Sequence, residues 1–393
     1  MAMKKQIVSI MAVIGCAALF AQSVKVEPYG TTSSGEKIER YAIKNSNGME
    51  VSAITYGATV TDVVVPDSDG NFENVVLNLP DISSYEKNKN FLGPIVGRYG
   101  NRLAKSQFKI ADEVYTVDAN EGKNSLHGGS QGFYRKVWKA EEIEGRDFAG
   151  VKFTLRSPDG DMGFPGNMDV VAIYKLDNDN NFTIEYQVST DKPTVCNLTW
   201  HPYFNLAGAG NGSILTHHLK INANYITPVN EELIPTGNLL AVKDTPFDFT
   251  LDSMAIGQRL NVNHPQLALK MGGGAYDHNF VLNKPVDTLG FACKITCPKS
   301  GRTLEVYTEE PCLQLYTGQG FDGTLKGANG KYYHKYAGFV IEPQHHPDQP
   351  NQKNFFPPTL ITPGEVFTSK SVYKFGVENE RKSRKSSFWG ISK

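Results

Sequence analysis

Strict alternation of apolar and polar residues constrains this chain more than any other feature of its sequence. In Phe182-Thr183-Ile184-Glu185-Tyr186-Gln187-Val188-Ser189 it runs without a break. Such a pattern gives a strand one apolar and one polar face. The period near 3.6 that a surface helix needs is almost absent; only Ile82 to Lys89 fits a short helix. Leu219 with Ile221, and Leu304 with Val306, repeat the two-residue spacing. Val51 to Val65 is rich in β-branched residues and ends at Pro66-Asp67-Ser68-Asp69-Gly70, a turn signal. Ser157-Pro158-Asp159-Gly160-Asp161 and Pro298-Lys299-Ser300-Gly301 punctuate the chain in the same way. Many strands with frequent turns predict an all-β sandwich or barrel. No fixed-period repeat is present, which argues against a propeller.

No Pro/Ser-rich linker divides the chain, so residues 24–380 are expected to form one large β domain. The sequence has 40 Lys+Arg against 41 Asp+Glu, a formal net charge of −1. A general nucleic-acid binder needs excess cations to displace counterions, so that class is disfavoured and a neutral partner fits better. Residues 381–393 are basic and Ser-rich and read as a frayed tail.

The first residues read as an address. Lys4 and Lys5 precede an apolar run from Ile7 to Phe20, too short to span a bilayer comfortably and laid out like a secretory signal peptide. Ala21-Gln22-Ser23 offers small residues for a cut before Val24, the reading we favour. Val13-Ile14-Gly15-Cys16 resembles a bacterial lipobox, which would instead leave Cys16 lipidated. The expectation is an exported, periplasmic protein, soluble or lipid-anchored, with no transmembrane span. Four cysteines then remain: Cys196, Cys293, Cys297 and Cys312. Cys293 and Cys297 fall in one expected strand, where four residues span ~13 Å, beyond the ~7 Å Cα limit of a disulfide. All four are expected to be buried thiols, and their spacing suits no zinc site.

Polar groups gather in six separated clusters. They are Gly97-Arg98-Tyr99-Gly100-Asn101-Arg102-Leu103; Asn124-Ser125-Leu126-His127-Gly128-Gly129; Asn197-Leu198-Thr199-Trp200-His201-Pro202-Tyr203-Phe204-Asn205-Leu206; Tyr276-Asp277-His278-Asn279-Phe280; Glu310-Pro311-Cys312-Leu313-Gln314-Leu315-Tyr316-Thr317-Gly318; and Gly338-Phe339-Val340-Ile341-Glu342-Pro343-Gln344-His345-His346-Pro347-Asp348 with Asn351. Residue type alone favours bland roles for many of them. A Glu after Phe339-Val340-Ile341 is commonly where a strand meets solvent, and Arg102 alone reads as a surface ion pair. Trp138, Tyr203 and Phe204 read as core, Arg98 as structural, and His278 as a support for Asp277. His217-His218 and His345-His346 do not suggest a metal site, because neighbours on a strand point to opposite faces.

Taken in order, the clusters resemble the galactose mutarotase (aldose 1-epimerase) family over roughly Val26 to Val377. The resemblance implies a large antiparallel β-sandwich, often called a supersandwich. It implies an isomerase that interconverts the α and β anomers of free hexoses, galactose or glucose, with no cofactor and no metal. It assigns Glu342 as general base and His201 as general acid. His127, Asn101, Arg102, Asp277 and Gln314 are assigned to hold the sugar. Trp200 and Pro202, which flank the proposed acid, depart from the family pattern. Ring opening removes a proton from O1 and delivers one to O5, and closure reverses both transfers, so paired groups able to titrate near neutrality suit it. Two alternatives remain: an epimerase of hexose 6-phosphates on the same fold, and a non-catalytic carbohydrate-binding module. The expected assembly is a monomer or homodimer.

Overall fold

The computed structural model describes residues 22–251 and 254–378. Residues 1–21 of the expected signal peptide, with the lipobox, and the basic tail lie outside them; Gln22 and Ser23, the last two residues before the favoured cut, are described. Val24, which would follow the favoured cut, sits in the first strand, Ser23–Thr31.

Three antiparallel sheets carry the fold. The first is a meander of Ser23–Thr31, Lys37–Lys44, Glu50–Ile54, Thr59–Pro66 and Phe72–Asn74, each strand pairing with the next. The second has nine strands. Lys139–Glu144, Phe148–Ser157, Met168–Asp177 and Asn181–Thr190 form one half; Arg302–Thr308, Gly290–Thr296, His218–Ile221 and Met254–Ala255 form the other. The last strand, Phe367–Val377, lies between the halves and pairs with both. The alternation read at 182–189 is realised here: Phe182, Ile184, Tyr186 and Val188 are buried and the residues between them are not.

The apolar faces of the first two sheets share one core, in which Tyr41 meets Phe153 edge-on at 6.1 Å. Among the described residues, helix is confined to Ile82–Lys87, capped by Asp81, and a few single turns. Among the described residues no helix is long and apolar enough to cross a membrane. Cys196, Cys293, Cys297 and Cys312 are all free and buried, as expected.

The third sheet positions the site. Its order is Leu240–Ala241, Ala223–Thr227, Asp277–Leu282, Cys312–Tyr316 and Val340–Gln344. Val340–Gln344 is an edge strand, which explains how Pro343, with no N–H to donate, is tolerated in it. The register sets Asn279 opposite Gln314 and Gln314 opposite Glu342. Because side chains on one face recur every two residues, Asp277, Asn279, Gln314, Glu342 and Gln344 share a face.

Candidate active site

Glu342 projects from that face and is almost wholly buried. Opposite it stands His201, which follows the short strand Thr199–Trp200 paired with Ile95–Val96. His201 is tied back by its N–H to the Pro94 carbonyl, and its Nε2 lies 4.0 Å from Glu342 Oε1. Trp200 points away from the cleft into the core, donating its indole N–H to the Gly93 carbonyl and meeting Phe182, Phe204 and Tyr373 edge-on. Its side chain therefore lies on the core side of the strand.

His127 arrives by a different route. Strand Ser125–Leu126 pairs with Arg102–Leu103, bringing His127 beside Asn101. The two residues are joined twice: His127 N–H donates to the Asn101 carbonyl at 3.0 Å, and Asn101 N–H donates to His127 Nδ1 at 3.1 Å. Gly128 follows at φ 85°, and a Cβ there would lie 1.9 Å from the Gly97 carbonyl oxygen. Leu-His-Gly-Gly is thus a turn that only glycine can make at that close approach. His127 and His201 meet edge to face at 5.2 Å.

The far wall is a chain of paired groups. Arg102 is buried, contrary to the surface ion pair that residue type alone suggests. Its Nε and Nη2 donate to Glu121 at 2.6 and 2.8 Å, and its Nη1 lies 3.9 Å from Asp277 Oδ2. Gln314 Nε2 donates to Asp277 Oδ1 at 2.6 Å. Gln314 stands behind Asp277, lining a small cavity beyond the cleft rather than the cleft itself. The other six expected residues, Asn101, Arg102, His127, His201, Asp277 and Glu342, line one cleft of about 290 Å³, at the small end of ligand pockets.

Arg98 is indeed structural: it donates to the Ser157, Pro158 and Pro165 carbonyls and to Ser157 Oγ. His278 supports Asp277 by accepting its backbone N–H. Trp138 and Phe204 are core, but Tyr203 is not only core. Its ring lies 5.2 Å from that of His201, and it lines the cleft. Phe91, Glu121 and Gln319 also line the cleft and were not anticipated; Tyr316, which stands in the fifth polar cluster, lines it as well. Phe91 has no pattern to give it away. Glu121 sits three residues before the quoted Asn124-to-Gly129 cluster, and its charge in a polar loop was its only signal.

Burial governs the titration of this site. It raises Glu342 well above the ordinary carboxylate value, aided by the nearby Asp277 charge and opposed by Arg102. It lowers His201 to about 4. It also lowers His127 well below its usual value, with His201 and Arg102 acting in the same direction. Burial raises Asp277, against the pull of Arg102 and Gln314. Glu342 Oε1, His201 Nδ1 and Gln314 Oε1 are buried with no hydrogen-bond partner.

His127, His201 and Glu342 offer ligand atoms within 4.8 Å of one another, the outline of a metal triad. The tautomer of His127 does not fit that role. Its Nδ1 accepts the Asn101 N–H, so the neutral ring carries its proton on Nε2. A metal needs the Nε2 lone pair, whereas a sugar oxygen needs the proton that is there.

Residues 39–374 match the family model described as aldose 1-epimerase. Galactose mutarotase from Homo sapiens is 38% identical over 345 residues, covering 88% of this chain and 96% of that protein. Aldose 1-epimerase from Escherichia coli K12 is 34% identical over 345 residues, with 88% and 97% covered. Among solved structures, galactose 1-epimerase from Lactobacillus acidophilus superposes with a TM-score of 0.80 at 31% identity, covering 91% of this chain and all of that one.

Proposed function

From the premise that the chain belongs to the aldose 1-epimerase family, we propose that it opens and recloses free hexoses with Glu342 as base and His201 as acid. The enzyme is an isomerase that interconverts the α and β anomers of free aldoses. Galactose is the first substrate to try, since relatives bear its name. The observation that carries the reading is the unpartnered His201–Glu342 pair at 4.0 Å, facing a wall of fixed hydrogen-bonding groups.

In the forward direction Glu342 takes the O1 proton as the C1–O5 bond breaks, and His201 gives a proton to O5. The aldehyde end rotates, and reclosure on the other face runs both transfers backward. The site ends with the protons it began with. Burial opposes charge on both members of the pair, so the empty site favours carboxylic acid beside neutral imidazole. Moving one proton across the pair gives the carboxylate and imidazolium that the reaction uses. A sugar hydroxyl donating to Glu342 Oε1 favours that form, because hydrogen bonds to a carboxylate stabilise its charge. His127 Nε2–H donates to the sugar near the ring oxygen. Asp277 accepts from hydroxyls, and Arg102 and Asn101 donate to them.

The test is polarimetry on freshly dissolved α-D-galactose and α-D-glucose. Rapid equilibration that Glu342→Gln abolishes supports the assignment. Tight sugar binding without turnover in the wild type would support the binding-module alternative instead. The same leader that reads as a signal peptide, Lys4-Lys5 followed by Ile7 to Phe20, supports a periplasmic site of action. Recovery of processed protein from the cytosol would reject that location.

A further inference from the structure

We propose that Glu121 is a positioning residue of the sugar-binding wall, fixing Arg102 against Asp277 and giving the wall a net negative charge that admits neutral aldoses and excludes anionic ones. This rests on the epimerase reading above and deepens it by setting the substrate class. Glu121 closes a tight turn: its N–H and carbonyl pair with those of Asn124. Its carboxylate takes two hydrogen bonds from one edge of the Arg102 guanidinium. The two-point grip leaves Nη1 as the guanidinium corner nearest Asp277. A planar fork held along one edge cannot swing, so its remaining donors are presented in one direction.

The charge consequence follows from the same contacts. Arg102 alone would balance Asp277. With Glu121 on the other edge, the three groups carry one unbalanced negative charge, beside a further carboxyl at Glu342. Lys89, the other cation lining the cleft, is exposed, where water screens it. A uronate or sugar phosphate entering here would bring its charge against carboxylates set in a largely buried wall. The hexose 6-phosphate alternative is disfavoured on the same ground.

Two variants separate the two roles. Glu121→Gln removes the charge and, because its amide nitrogen cannot accept, one of the two hydrogen bonds from Arg102. Glu121→Asp keeps the charge and shortens the reach to Arg102, so galacturonate exclusion retained in Glu121→Asp and lost in Glu121→Gln isolates the charge. Wild type and variants are assayed for galactose anomerisation, with D-galacturonate as inhibitor and thermal unfolding measured in parallel. For Glu121→Asp we expect KM to rise about tenfold, equivalent to about 1.4 kcal/mol, with kcat little changed and galacturonate still excluded. For Glu121→Gln we expect galacturonate to inhibit at roughly tenfold lower concentration than for wild type, an effect that weakens with added salt. Equal galacturonate inhibition of all three proteins would overturn the charge role. An unaltered KM in Glu121→Asp, or parallel losses of kcat and melting temperature, would overturn the positioning role. Wild type without galactose turnover would instead reject the epimerase reading, so the two failures are distinguishable.

Discussion

Glu342 and His345 lie three residues apart on one stretch of chain, and each faces a buried partner of the opposite kind. Glu342 faces His201 at 4.0 Å, and Glu342 Oε1 and His201 Nδ1 are left unpartnered. His345 Nδ1 meets Glu310 Oε2 at 2.6 Å, and the other Glu310 oxygen accepts from Ser369. Both sites hold one carboxyl and one imidazole away from water, yet the carboxyls titrate in opposite directions. Burial alone would raise Glu310, but His345 and the Ser369 hydroxyl outweigh it and hold it below the ordinary value. Nothing comparable relieves Glu342, which is pushed up. A satisfied pair is a structural clamp. A pair held just beyond bonding distance, with unpartnered atoms beside a cleft, is poised to exchange protons with something else.

Swapping the perturbation between the pairs gives the sharpest contrast. Glu342→Gln is expected to lower kcat for galactose anomerisation by about 10²–10⁴-fold, the usual worth of a positioned acid–base group. Glu310→Gln should leave turnover per folded molecule intact, because Glu310 does not line the cleft. Equal loss of kcat in both would erase the distinction. In chemical denaturation the ranking inverts. Glu310→Gln removes one partner of a buried pair and should destabilise the fold by about 3–5 kcal/mol. The effect should also depend on pH. Since the folded-state value of Glu310 is lowered, its contribution is complete above the unfolded value of 4.5 and is lost as pH falls through the folded value. Wild type and Glu310→Gln should therefore converge in stability in acid. Parallel curves down to pH 3 would mean that the carboxylate does not contribute through its charge.

This contrast between the pairs was only half legible in the sequence. Alternation announces strands such as Asn181–Thr190, which have one covered face. It fades in Val340–Gln344, where both faces are covered and every residue is buried. Glu342 therefore looked like a strand end, and the ordered clusters, not its surroundings, picked it out. The cross-strand row Asn279–Gln314–Glu342 depends on register between strands far apart in sequence, which no local pattern states. Glu310 and His345 were both in view, but a 2.6 Å contact between residues 35 apart was not. Arg102 was expected to meet the sugar, and it does line the cleft. The carboxylate that holds it comes from a loop whose composition is that of any surface turn.

The smallest expected effect concerns the cost of keeping Glu342 unsatisfied. Between 4.5 and its raised folded value, the native state keeps a proton on Glu342 that the unfolded chain has released. Stability must therefore fall as pH rises through that window. Glu342→Gln removes the titrating group while keeping its size, so it should be more stable than wild type at neutral pH by roughly 0.5–2 kcal/mol, the scale of a site strained for function. That gain should shrink as pH falls and vanish below about 4.5, where Glu342 is protonated in both states. Urea melts of the two proteins at pH 7.5 and 4 would decide it. A variant less stable than wild type at pH 7.5 would mean that Glu342, like Glu310, serves the fold as a satisfied charge, and the comparison between the two pairs would collapse.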